Sequence, residues 1–186
     1  MSYFVVVLAG RQARLRPPPR LTQFLHGTFF NLSMGVQYYA SGMARKMSMV
    51  HFLTKQITPR VTEIRGVIYE RMYLVQGDRC AALIDNSSGF GSLRAVVRAL
   101  TPLPVLLLLT HGHQDHAMGA AEFATVYMSP LDLDIYRIHG EEGFRRDAVN
   151  YSKDAVGVES EDYVPTAAPA RFLPLKDGDS FDLGGP

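Results

Sequence analysis

The sequence is poor in several things that whole classes of protein depend on. It has one cysteine, Cys80, so an intramolecular disulfide framework is excluded. It has no tryptophan. No stretch approaches the ~20 consecutive apolar residues of a membrane-spanning helix, and the apolar runs at 4–9 and 103–109 have the length of strands. Sixteen glycines and 11 prolines in 186 residues are too few for a collagen-like or low-complexity chain. What remains, 47% hydrophobic and 20% charged residues, is the composition of a globular domain of ordinary size.

Acidic side chains are missing from one end. Residues 1–58 carry seven basic side chains between Arg11 and Lys55 and no Asp or Glu, a net of +7. Residues 59–186 hold the other 12 basic residues and all 18 acidic ones, a net of −6. The overall +1 is therefore an average of two unlike pieces, and a step of this kind marks a boundary. The front piece contains a rigid Pro17-Pro18-Pro19 and lacks sustained periodicity. It is expected to be a basic, disordered N-terminal extension over residues 1–58, followed by a domain over 59–186. An Arg-bearing, acid-free start leaves organellar targeting open. Sparse serine, no clean amphipathic helix and no secretory signal favour a cytoplasmic protein.

Beyond residue 59 the pattern becomes regular. Residues 61–64, 71–75 and 80–84 are predicted strands, the last two separated by the Gly77-Asp78 turn signal. Cys80 falls in the third of them and is expected to be core. Ser92 caps a predicted helix whose apolar residues Leu93, Val96, Val97 and Leu100 recur at i, i+3, i+4 and i+7, and Pro102 and Pro104 end it. Residues 105–109 are apolar on both faces, as in a central strand covered on both sides. Ser129-Pro130-Leu131-Asp132 is a helix start. Residues 172–175 and 180–183, around Lys176-Asp177-Gly178-Asp179, are predicted to close a last hairpin. Strands alternating with helices give an α/β class.

The chemistry is concentrated in Thr110-His111-Gly112-His113-Gln114-Asp115-His116, three histidines and a carboxylate directly after the apolar strand. Ligand sites of α/β sheets lie at such strand ends. Imidazole nitrogen and carboxylate oxygen are donors that suit zinc, iron or manganese. In a tight loop His111 and His113 can share one ion while Asp115 and His116 turn towards a second. Gly112 is expected to relieve crowding between the first two ligands.

The run His111-x-His113-x-Asp115-His116 resembles the signature of the metallo-β-lactamase superfamily, over about residues 60–186. The preceding strands, the segment Leu83-Ile84-Asp85, the helix and the Leu-rich strand follow the order of that family's first half. The resemblance implies an αββα metallo-β-lactamase sandwich with a two-metal site along one edge of its sheets. It assigns His111 and His113 to one metal and Asp115 and His116 to the other. Asp85 is similar to the family's acidic residue that supports the ligand loop from behind, although Asn86-Ser87-Ser88-Gly89 follows it here in place of the usual Thr-Gly or Pro-Gly.

The family's remaining ligands, a histidine in a Pro-Gly-His-Thr-like loop, a bridging aspartate and a late histidine, have no counterpart after His116. The one later histidine, His139 beside Gly140, reads as a solvated residue at a helix end. The chain is therefore expected to be truncated after the first half of the sandwich and inactive alone. For the intact enzyme the resemblance implies a glyoxalase II-like hydrolase with two zinc ions per site, iron or manganese being alternatives. A metal-bound hydroxide, oriented by Asp115 as ligand and catalytic residue, would attack a thioester, ester or related bond of a small-molecule substrate. The alternatives are a mononuclear iron sulfur dioxygenase, a nuclease or phosphodiesterase, and a catalytically inert binding fragment. A nucleic-acid partner is disfavoured by the −6 of residues 59–186, and no membrane partner is expected. Self-association through the exposed half-sandwich is expected.

Overall fold

The computed structural model describes residues 4–6, 52–156 and 171–185. Strand β1 (Phe4–Val6) stands apart from the main sheet. Seven further strands form one mixed sheet in chain order: β2 (Leu53–Thr58), β3 (Val61–Arg65), β4 (Arg71–Gln76), β5 (Ala81–Ile84), β6 (Val105–Leu108), β7 (Thr125–Met128) and β8 (Arg171–Pro174). The first four form an antiparallel meander, and β5 to β8 run parallel. Parallel neighbours need crossovers, and helices supply them. Helix α1 (Leu93–Leu100) joins β5 to β6, the short α2 (Gln114–Ala117) lies between β6 and β7, and α3 (Leu133–Gly140) and α4 (Glu142–Val156) follow β7.

Alternation along the strands divides the core. Leu83, Leu107 and Leu109 face one side, with Leu93 and Val97 of α1 and with Met118. Ala82 and Leu108 face the other, where Leu183 and Phe181 pack on them. Burying a side chain such as Val97 or Leu107 contributes about 2 kcal/mol. Helix α1 begins where its sequence predicts, Ser92 Oγ accepting from Ala95 N at 3.2 Å. Among the described residues no helix is long and apolar enough to cross a membrane.

Two expectations are corrected. Residues 53–58, which the charge step assigns to the extension, form β2, with Leu53 opposite Arg65 and Lys55 opposite Glu63. The step fell on a tight turn at Pro59-Arg60; an edge strand that is mostly exposed reads like a tail because it buries little. Of the remaining extension, residues 4–6 pair as β1, while 1–3 and 7–51 lie outside the described residues.

The last hairpin does not form either. The turn is present, with Lys176 N donating to Asp179 Oδ2 at 2.8 Å and Gly178 at φ 86°. However, β8 lies parallel to β7, and β9 (Ser180–Asp182) pairs antiparallel with β1, Val5 opposite Phe181. The chain after β9 is held instead by the β4–β5 turn, where Leu183 O accepts from Arg79 N (3.0 Å) and Cys80 N (3.2 Å). Gly77 permits that approach, since a Cβ there would lie 2.0 Å from Leu183 O.

Candidate metal centre

Strands β5 and β6 end side by side, Ile84 opposite Leu108, so Asp85 and Thr110 emerge together at one sheet edge. Asp85 adopts φ 60° and is buried. Its Oδ1 accepts from Thr110 N at 2.8 Å and lies 2.9 Å from Thr110 Oγ1, and its Oδ2 lies 2.8 Å from His116 Nδ1. Thr110 Oγ1 is also 2.9 Å from His111 Nδ1. A hydroxyl has one proton to give. Given to Asp85, it leaves the Thr110 oxygen to accept from His111 Nδ1–H. His116 likewise donates from Nδ1 to Asp85. One carboxylate thus fixes the Nδ1 side of two imidazoles and leaves Nε2 as the nitrogen that could face an ion, in His116 once the proton it shares with Asp115 is released.

The rings are neighbours. His111 lies 4.8 Å from His113 and 4.2 Å from His116, centroid to centroid. His116 Nε2 is 3.3 Å from Asp115 Oδ2. Burial opposes charge on His116, but hydrogen bonds to Asp115 and Asp85 outweigh it and push the imidazole up to about 10. The bond to His116 holds the Asp115 carboxyl below its ordinary value. Burial, then the charge of His116, lowers His111.

The structure brings His111, His113, Asp115, His116 and Asp85 to one sheet edge, Asp85 behind the loop. Among the described residues no group of three or more His, Cys, Asp or Glu side chains is arranged to hold an ion. The donor set nonetheless fits a divalent metal: imidazole and carboxylate are the right ligand types, and Asp85 and Thr110 use up the Nδ1 positions of two histidines. The backbone agrees. Asn86 N donates to His116 O, and Met118 N to Ser87 O, so residues 86–87 clamp α2 from beneath. The buried Glu70 carboxylate accepts from Ser88 Oγ at 2.8 Å and braces that loop in turn.

Gly112 also brings the loop close to a neighbouring helix. A Cβ there would lie 2.5 Å from Asp132 O and 2.7 Å from Ile135 Cγ2, so the glycine seats the loop against the start of α3. The residues that sequence reasoning missed are Thr110, Glu70 and His139. His139 stands in the last turn of α3, as expected, but is only part-exposed and has partners. Its Nδ1 accepts from Gln114 N at 3.0 Å, Phe144 stacks on it at 4.1 Å, and the His113 ring lies 5.1 Å away. Burial, then the charge of His113, lowers its pKa. The signal that could have found it is topological: α3 follows β7, the strand beside β6, and parallel neighbours open onto the same sheet edge.

The sequence model of the metallo-beta-lactamase superfamily matches residues 65–182. The chain belongs to that superfamily. Solved structures similar to it include a metallo-beta-lactamase from Pontibacter korlensis (18% identity, TM-score 0.43, 49% of this chain and 49% of that one). A HARLDQ-motif mutant metallo-beta-lactamase from Cronobacter sakazakii matches at 20% identity and TM-score 0.45, over 71% of this chain and 50% of that one. The subclass B3 metallo-beta-lactamase MEM-A1, isolated from a soil metagenome library, matches at 20% identity and TM-score 0.42, over 68% and 47%. The chain spans about half the length of these solved structures. No curated protein matches it. Its mixed α/β architecture, with a seven-stranded sheet and four helices among the described residues, is that of the metallo-beta-lactamase fold, and the superfamily is one of metal-dependent hydrolases.

Proposed function

We propose that this chain carries part of a metal-dependent hydrolytic centre acting on a thioester, ester or related bond of a small molecule. The observation that supports this best is the Asp85 carboxylate, which joins His116 and, through Thr110, His111 in one hydrogen-bonded unit at the end of β6. In this reading His111 and His113 hold one ion, and Asp115 and His116 hold another, zinc in both with iron or manganese as alternatives. Divalent ions supply a water of lowered pKa and polarise the scissile bond. The residues of this chain do the rest. Asp85 and Thr110 keep the imidazoles in the ligating tautomer. Asp115 accepts a hydrogen bond from the attacking water and orients it. The net charge of −6 over residues 59–186 favours a small substrate over a polyanion.

The test is zinc titration of the chain, together with hydrolysis of an acyl-glutathione thioester and a generic phosphodiester by the intact enzyme that contains it, with added zinc. Thioester turnover that disappears with a chelator, and falls by at least about 10²-fold in Asp115→Ala, is expected. Turnover that survives both treatments would overturn the reading.

A further inference from the structure

The ligand loop leans on α3 along one stripe. Asp132 Oδ1 accepts from Gly112 N at 3.3 Å. Asp132 O, Ile135 Cγ2 and Tyr136 N close the space where a Gly112 side chain would stand. Two turns after Asp132, His139 Nδ1 accepts from Gln114 N. Residues 132, 135, 136 and 139 recur at i, i+3, i+4 and i+7, which places them on one helix face. His113, which precedes α2, makes no side-chain hydrogen bond to the helix backbone. His139 therefore provides the side-chain acceptor for the first amide of α2, whose next two residues are Asp115 and His116.

We propose that His139 is a positioning residue for the metal centre: by accepting the Gln114 amide proton it fixes the direction in which His113, Asp115 and His116 present their donors. This rests on the metal-centre reading above. With Nδ1 occupied by a backbone proton, neutral His139 keeps its own proton on Nε2, so neither nitrogen offers a lone pair to an ion. The residue holds the loop and is not a ligand. Phe144, stacked on the ring at 15° between planes, keeps the imidazole in the orientation the hydrogen bond needs.

The experiment compares wild type, His139→Leu, His139→Asn and His139→Gln in the whole chain. It reads zinc affinity by chelator competition and amide hydrogen exchange at Gln114 in the metal-free protein. Asparagine places Oδ1 where Nδ1 stands; glutamine moves the acceptor one bond further out; leucine has none. His139→Leu should weaken zinc binding by about 10-fold or more and speed Gln114 exchange, as loss of an orienting contact behind a metal site does. His139→Asn should keep the slow exchange and an affinity within about threefold of wild type. Affinity unchanged in His139→Leu, or as weak in His139→Asn as in His139→Leu, overturns the positioning role while leaving the metal centre standing. Wild type that takes up no zinc overturns the metal centre and the positioning role together. If His139→Leu fails to fold, the Asn and Gln variants decide. Asparagine but not glutamine retaining both readouts supports the proposal, and equal behaviour of the two overturns it.

Discussion

At the scale of single residues, Asp85 is where the most interactions meet. Its two oxygens serve Thr110 N, Thr110 Oγ1 and His116 Nδ1, all from a buried position with a left-handed backbone. Asp85→Asn replaces one oxygen with a donor, so either the Thr110 amide or the His116 imidazole faces another N–H. We expect zinc affinity to fall about 10- to 100-fold, with far-UV circular dichroism unchanged. Wild-type affinity in that variant would show that the carboxylate does not orient the ligands. The cluster of His111, His113, Asp115 and His116 is readable in the sequence because its spacing is local. The roles of Thr110 and Glu70 are not, since their contacts to Asp85 and Ser88 come from a loop 25 and 18 residues away in the chain.

At the scale of elements, α1 shows how far local rules reach. Ser92 caps it, and Leu93 and Val97 bury its inner face, as the periodicity implies. Ser92→Ala should cost about 1 kcal/mol in chemical denaturation. Its hydroxyl also meets Glu122, which accepts from Arg94 N at 3.2 Å as well. Burial raises the Glu122 carboxyl above its ordinary value, and the bonds from Ser92, Arg94 and Leu93 offset part of that rise. The sign follows directly. A raised acid contributes stability that is full below the ordinary carboxyl range and is lost as pH rises through the raised value. Thermal melts of Glu122→Gln should therefore lose less stability than wild type over that window. Identical pH profiles for the two would show that Glu122 is not the group responsible. Local rules fail at β2 and β9. The exposed β2 reads like a tail and β9 like half of a hairpin, because their partners, β3 and β1, are decided by pairing that neither segment itself encodes.

At the scale of the molecule, the described residues cover the sheet's second face only thinly. Leu183 and Phe181 lie over Ala82 and Leu108, while Val75, Ile84, Leu106 and Tyr127 stay partly exposed. Leu53 and Ile57 are exposed on the edge strand β2. Apolar faces and unpaired edges of this kind invite association. Sedimentation velocity should show concentration-dependent self-association of the chain; a monomer at all concentrations with a single cooperative melt would count against it. The sequence by itself determined the α/β class, the meander from residue 61 onward, α1 and the apolar strand that leads into the His/Asp cluster. Each of these depends on periodicities and spacings of a few residues, where propensity and burial act within one segment. Only the tertiary structure decided that Asp85 reaches across 31 residues to His116, that Gly112 seats the loop on α3, that His139 holds the Gln114 amide, and that β9 leaves β8 for β1. Those contacts form when strands adjacent in the sheet bring distant segments to a common edge, and no segment carries that adjacency in its own residues.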